Sequence, residues 1–204
     1  MLPTIILDID HTLLNTDKIK RDLARLGEDL NITPKMFWRA YRILRKKGEF
    51  SINKIIRYFP KMTLACRCEI KKRYRKVFKN SQKYLYHDAK YFLQWASHKN
   101  FKIILYTFGN REVHQYKIKA LKKSYKIYAS YITHDPTKRL GIARVLPKKG
   151  KWVWLDDFKD VRVSARILAR GRFFCLKRKK RSFVPKNIPA IKSLYPVIRF
   201  LASQ

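Results

Sequence analysis

Two hydrophobic periods alternate along this chain and divide it into stretches of different kinds. Residues 4 to 8 form a short apolar, β-branched run, "TIILD", of the sort buried on both faces of a parallel sheet. From Asp17 the period turns helical, with Ile19, Leu23, Leu26 and Leu30 at spacings of four, three and four. Thr33 and Pro34 read as an N-cap and a first-turn proline for a second helix. Its stripe is Phe37, Trp38, Tyr41 and Leu44, and Gly48 is its expected stop. Ser51 caps a third helix carrying Ile52, Ile55, Ile56 and Phe59, stopped by Pro60, and Thr63 caps a fourth with Leu64, Ile70, Tyr74, Val77 and Phe78. Residues 17 to 86 are therefore expected to be helices alone, packed as a small bundle.

After a helix expected from an Asp88 cap to His98, the pattern returns to strands. "FKIILYT" (101 to 107), "KIYASYI" (126 to 132), "KWVWLDD" (151 to 157) and "RFFCL" (172 to 176) are the strands that follow the first. Helices are expected between them: Arg111 to about Lys123, a short one after Lys138, and one through Ala169 and Gly171. The C-terminal "AIKSLYPVIRFLAS" reads as an edge turn and a helix interrupted near Pro196. Strands alternating with helices predict a doubly wound α/β sheet of about five parallel strands, helices on both faces, with an all-helical insertion. The division expected is a core of 1–16 and 87–204 and a helical domain of 17–86.

Composition adds constraints. A length of 204 residues, 46% hydrophobic, suffices for one domain and a satellite. No apolar run reaches the roughly 20 residues of a membrane span, and no signal peptide is expected. Cys66, Cys68 and Cys175 make no disulfide framework, so a reducing cytoplasm is the expected setting. Cys66 and Cys68 lack the second half of a metal site and read as partly buried helix residues. The formal charge of +35 should attract polyanions such as nucleic acid non-specifically. That excess is spread evenly: residues 17 to 88 hold 21 Lys/Arg against 7 Asp/Glu, and the rest of the chain 28 against 7. The dense run "KRKKR" (177 to 181) is the best local candidate for phosphate contacts, with a solvated loop as its alternative.

Within this cationic chain, acids gather at strand ends. In open parallel sheets ligands bind beyond the carboxyl ends of the strands. Asp8 with Asp10, Thr107, and Asp156 with Asp157 all fall there, so four of fourteen acids converge on one edge. Asp8 and Asp10, two apart, would face the same side and raise each other's pKa unless a cation joined them. Hard oxygen donors of this kind suit Mg²⁺.

These residues resemble the motifs of the haloacid dehalogenase (HAD) superfamily. "LDIDHTLLNT" is similar to its first motif, "ILYTFGN" to its second, and "VWLDDFKDV" to its fourth, while Lys138 in "THDPTKRLG" best matches the third. "ARGRFFCL" resembles the glycine-led fifth strand of that Rossmann-like fold, and residues 17 to 86 occupy the place of its cap insertion. The resemblance implies a phosphatase with Asp8 as nucleophile and Asp10 as general acid and base. It implies Mg²⁺ held by Asp8, the Asp10 carbonyl and Asp157, with Asp156 or Asp160 assisting. Phosphoryl oxygens would meet the Thr107 hydroxyl and the backbone N–H groups of Phe108 and Gly109, with Lys138 balancing charge. Lys148, Lys149 and Lys151 compete with Lys138 for that role. Asp10 favours phosphoryl transfer over dehalogenation, which needs no such acid.

The expected substrate is a small phosphorylated metabolite such as a nucleotide or sugar phosphate. The cap would close over it, with Arg21, Arg39, Trp38 and Tyr41 as candidate contacts, although Trp38 and Tyr41 also read as helix core. His11 carries no assigned role. Three alternatives stand beside this reading: a phosphatase of nucleic-acid termini, a non-catalytic nucleic-acid binder on the same fold, and a phosphomutase.

Overall fold

The computed structural model describes residues 2–46, 50–135, 138–147, 150–157, 171–178 and 189–203. They divide into two compact units. One comprises Met1–Asn15, Leu85–Phe108 and Lys122–Gln204; the other comprises Thr16–Tyr84 and Gly109–Leu121.

The first unit is an α/β sheet. Strands β1 (Thr4–Leu7), β2 (Ile103–Phe108), β3 (Ile127–Thr133), β4 (Trp152–Asp156), β5 (Gly171–Leu176) and β6 (Ala190–Ile191) lie in the order β3-β2-β1-β4-β5-β6. Every pairing is parallel. β1 is central, and all four of its residues are buried, as its unbroken apolar run requires. The alternation of side chains sends Ile6, Ile104, Tyr106, Trp154, Phe173 and Cys175 into one layer. There they meet Ile142 and Val145 of a short helix, Arg139–Val145. Phe174 points the other way and packs on Phe200, ring centroids 5.6 Å apart, in the helix Tyr195–Ala202. Helices thus cover both faces.

The second unit is built on helices α1 (Thr16–Arg25), α2 (Pro34–Lys46), α3 (Ile52–Ile56) and α4 (Leu64–Lys79). Three predicted caps form: the side chains of Thr33, Ser51 and Thr63 accept from the backbone N–H of Met36, Lys54 and Cys66. Phe37 sits edge-on to Tyr74 at 6.2 Å, and Trp38 and Tyr41 pack around Phe37, so those two rings belong to this unit's own aromatic cluster. Arg21 and Arg39 are both exposed at its surface. Cys66 is half-buried and Cys68 exposed.

Chain order continues with α5 (His87–His98), α6 (Arg111–Lys122), α7 (Arg139–Val145) and α8 (Tyr195–Ala202). Several expectations change. The division by chain position gave all of 87–204 to the core, yet Gly109–Leu121, most of α6, groups with the helical unit. There Glu112 pairs with Arg75 at 3.1 Å and the Lys117 ammonium lies over the Phe78 ring. Asp88 is not a cap: Tyr86 holds that position, and Asp88 is buried in the first turn of α5. Gly171 opens β5 rather than ending a helix, because any side chain there would run into the Trp152 ring. Residues Ala190–Ile191 add a sixth strand too short to carry a period of its own, and Pro196 starts α8 instead of interrupting it. Gly48, Lys148, Lys149, Asp160 and the helix expected through Ala169 lie outside the described residues.

Candidate active site

The site begins where β1 stops. The Leu7–Leu155 register puts Asp8 beside Asp156, and the Asp8 N–H donates to the Leu155 carbonyl at 3.0 Å. A third element arrives from elsewhere in the chain. Lys138 stands at the N-terminal end of α7 with a left-handed backbone, φ 58°. Its carbonyl accepts from the Tyr106 hydroxyl at 2.8 Å, and its Nζ donates to Asp8 Oδ1 and to Asp156 Oδ2, each at 2.6 Å. All three charged side chains are buried, at 4%, 5% and 0% exposure for Lys138, Asp8 and Asp156. Asp157 follows, half-buried, and carboxylate oxygens of Asp8, Asp156 and Asp157 lie within 4.8 Å of one another.

Charge explains the titration of this cluster. Burial is the main force that pushes Asp8 up to about 7; Lys138 opposes it, while Asp156 and then Asp10 add to it. Burial likewise pushes Asp157 up to about 8, reinforced by Asp8 and Asp156. For Lys138 burial works downward, but attraction to Asp156 and Asp8 outweighs it, and the net direction is upward. Asp10 raises the Asp8 pKa as expected, but Asp156 does so more strongly. Asp10 lies past the strand end, in a one-residue bridge with Leu14, and acts on Asp8 less strongly.

When all three carboxylates are ionised, the one ammonium leaves two negative charges uncompensated, which is why burial and mutual repulsion raise Asp8 and Asp157. An ion with hard oxygen preference fits that donor set, which among the described residues holds no nitrogen or sulfur ligand. Mg²⁺ is such an ion. Thr107, fully buried, and Phe108 end β2 at the same edge of the sheet as Asp8 and Asp156. Gly109 follows with φ 143°, a conformation that favours glycine, and the His114 ring closes on its Cα too tightly for a side chain. Of the competing lysines, Lys151 is exposed.

The loop after Asp10 is held by residues to which the sequence assigns no such role. The Ile9 carbonyl accepts from the N–H groups of Leu13 and Leu14, and His11 adopts φ 59° within that turn. The Thr12 carbonyl accepts from Arg178 Nη2 at 3.1 Å. Arg178 Nη1 in turn donates to Asp88 Oδ2 at 2.8 Å, and its guanidinium lies over the Tyr86 ring. Asp88 also accepts from the backbone of Leu194 and of Ala89. Arg178 is therefore a half-buried strut under the Asp8–Asp10 loop. The KRKKR run was the best phosphate candidate; its second residue is spent on this strut, and Lys179, Lys180 and Arg181 lie outside the described residues. Tyr106 plays a similar part for Lys138. Its only sequence signal is Gly141, whose missing side chain leaves room for the Tyr106 hydroxyl.

Neither a family model nor a curated protein matches this chain. Solved structures do. YfnB from Bacillus subtilis, a HAD-hydrolase structure bound to magnesium, is 16% identical with a TM-score of 0.63, covering 98% of each chain. A haloacid dehalogenase-like hydrolase from Burkholderia xenovorans is 14% identical with a TM-score of 0.68 over 100% of this chain and 98% of its own. The L-2-haloacid dehalogenase of Xanthobacter autotrophicus is 8% identical with a TM-score of 0.62 over the whole of both. Across its full length, the chain has the fold of the haloacid dehalogenase superfamily of hydrolases.

Proposed function

We propose that this protein is a Mg²⁺-dependent phosphatase of small phosphorylated metabolites, acting through an aspartyl-phosphate. The observation that supports it most is the buried Lys138 ammonium bridging Asp8 and Asp156 beside Asp157, in a chain that also carries Asp10. Lys138 holds Asp8 Oδ1 and so orients the nucleophile. An Asp8 oxygen attacks phosphorus, and the bond to the leaving oxygen breaks as Asp10 gives that oxygen its proton. Asp10 then takes a proton from water, the water oxygen attacks phosphorus, and the Asp8–phosphorus bond breaks to release phosphate. Thr107 hydroxyl and the Phe108 and Gly109 N–H groups bind phosphoryl oxygens, and Lys138 balances charge as it builds. Asp8, Asp157 and the Asp10 carbonyl would hold the metal, with Asp156 fixing Lys138 beside them. When bound, Mg²⁺ supplies positive charge that lowers repulsion between carboxylate and phosphate.

The part of the helical unit inserted between β1 and β2, Thr16–Tyr84, is proposed as the cap that selects the substrate. Cys66, Cys68 and Cys175 form no disulfide, which supports a cytoplasmic setting. Among the described residues, no helix is long and apolar enough to cross a membrane.

The likeness to dehalogenases favours a second reading, hydrolysis of 2-haloacids. Asp10 argues against it, since halide leaves without a proton. Phosphate release from a panel of phosphorylated metabolites, with Mg²⁺ or chelator, beside chloride release from 2-chloropropionate, tests both. Phosphate release that needs Mg²⁺ and is lost in Asp8→Asn is expected. Chloride release without phosphate release would transfer the protein to the dehalogenase reading.

A further inference from the structure

The acids lie at the carboxyl ends of the strands, and the opposite ends of β2 and β3 carry a different surface. The turn after α5 and the segment before β3 form a groove of about 470 Å³ lined by Ser97, His98, Asn100 and residues 122 to 126. Lys122, Lys123 and Lys126 are exposed there, Lys99 and Lys102 flank it, and none of the lining residues is acidic.

The walls are joined. The Lys126 N–H donates to Ser97 Oγ at 3.2 Å, and Lys126 Nζ donates to Asn100 Oδ1 at 3.2 Å. Asn100 turns the chain with φ 57°, and Trp95 and Phe101 pack 5.1 Å apart beside that turn. Two residues further along each wall, the Lys102 ammonium lies 3.9 Å from the centre of the Tyr128 ring. Tyr128 is 69% exposed on β3, the outermost strand.

Cations offset the negative ends of helices, and α5 and α6 both end here. That accounts for His98, Lys99, Lys122 and Lys123. It does not account for Lys102 and Lys126, which precede strands, or for an aromatic ring left in water beside them.

The geometry points to a binding surface for single-stranded nucleic acid on the amino edge of the sheet. Lysines along the groove meet phosphates, and Tyr128, with Lys102 over one face of its ring, offers the other to a stacking unpaired base. A lipid surface fits less well, because the groove presents no aliphatic side chain to insert. This surface is separate from the acid cluster and does not depend on the phosphatase reading.

The test is fluorescence anisotropy with the full chain and a labelled 12-nucleotide single strand, without Mg²⁺, across a salt series. Lys122→Gln/Lys123→Gln/Lys126→Gln is compared with an equal loss of charge from positions elsewhere on the surface, Arg57→Gln/Lys72→Gln/Lys76→Gln. The groove variant is expected to lose about tenfold or more in affinity and to flatten the log–log salt slope by about 2, at roughly 0.7 per phosphate contact. The control is expected to stay within about twofold. Tyr128→Ala should cost about fivefold or more at unchanged slope, and Tyr128→Phe should bind normally. The tyrosine pair keeps the test decisive if the triple variant folds poorly. Equal losses from groove and control would overturn the inference. So would a duplex, or an anionic lipid vesicle, bound as tightly as the single strand.

Discussion

The two edges of one sheet hold their charges in opposite ways. At the carboxyl edge, Asp8, Asp156 and Lys138 are buried, each fixed to the next by a 2.6 Å contact. At the amino edge, Lys102, Lys122, Lys123 and Lys126 are exposed, Lys126 held to an asparagine and Lys102 lying over a tyrosine ring. A buried charge is costly unless paired, so its position is set by its partners. A solvated lysine costs almost nothing to place, and a chain with 49 Lys+Arg can hold many. Charge count therefore says little about function in this chain, while burial separates chemistry from attraction.

The largest expected effect breaks the acidic edge at its nucleophile. Asp8→Asn should reduce phosphate release by at least about 10⁴-fold. Asp10→Ala should cost about 10²–10⁴-fold, the range of a lost general acid. Single-turnover assays read both losses, and circular dichroism should find both proteins folded. Turnover near wild type in Asp8→Asn would remove the nucleophile assignment.

Stability gives the next contrast. Lys138→Met leaves two carboxylates buried without their cation and is expected to cost about 3–5 kcal/mol in urea unfolding. The groove triple on the amino edge should shift Tm by no more than about 2 °C. Arg178→Met should resemble Lys138→Met, because Asp88 is left buried in the same way. Replacing both partners, Arg178→Met with Asp88→Leu, should recover part of that loss. Full recovery of activity as well would show that holding the Thr12 carbonyl is unnecessary for the loop.

The sequence reading reached the acidic edge by a local route. β1, β2 and β4 are unbroken apolar runs, so their ends, and with them Asp8, Thr107 and Asp157, were legible. Lys138 could be found because a helical run follows it. Asp156 was legible as an acid but not as the partner of Lys138, since that contact joins residues 18 apart through the fold. Arg178 looked like one cation in a basic run, and Asp88 like a cap, because their pairing spans 90 residues. α6 carries an ordinary amphipathic pattern, which cannot tell which neighbour it will choose. The groove needed two turns from distant stretches to meet, and no spacing reports that.

Asp8 and Asp157 are raised to about 7 and about 8 from an ordinary 3.8. Between about pH 4 and 8 the folded protein therefore holds more protons at these sites than the unfolded chain, so metal-free stability falls as pH rises through that window. Added Mg²⁺ should raise Tm more at about pH 8 than at about pH 5, because the ionised carboxylates are what it joins. Asp8→Asn should flatten the metal-free profile. A Mg²⁺ effect of equal size at both pH values, read by differential scanning fluorimetry, would remove these acids as the site of binding.

The smallest effect concerns one hydroxyl. Tyr106 donates to the Lys138 carbonyl, and a methyl group at Gly141 would lie 2.5 Å from that hydroxyl oxygen but 3.4 Å from the ring carbon bearing it. Tyr106→Phe should cost about 1–2 kcal/mol, since it leaves the Lys138 carbonyl without its donor. In the native background Gly141→Ala should destabilise, the new methyl forcing the hydroxyl away. In the Tyr106→Phe background the obstruction is gone, and alanine's better helix propensity, worth about 1 kcal/mol, should make the same change stabilising. The sign of Gly141→Ala thus reverses with the state of residue 106, a coupling that urea unfolding of the four proteins measures directly. Additive costs would mean that the hydroxyl and α7 do not constrain each other, and Tyr106 would lose its role in placing Lys138.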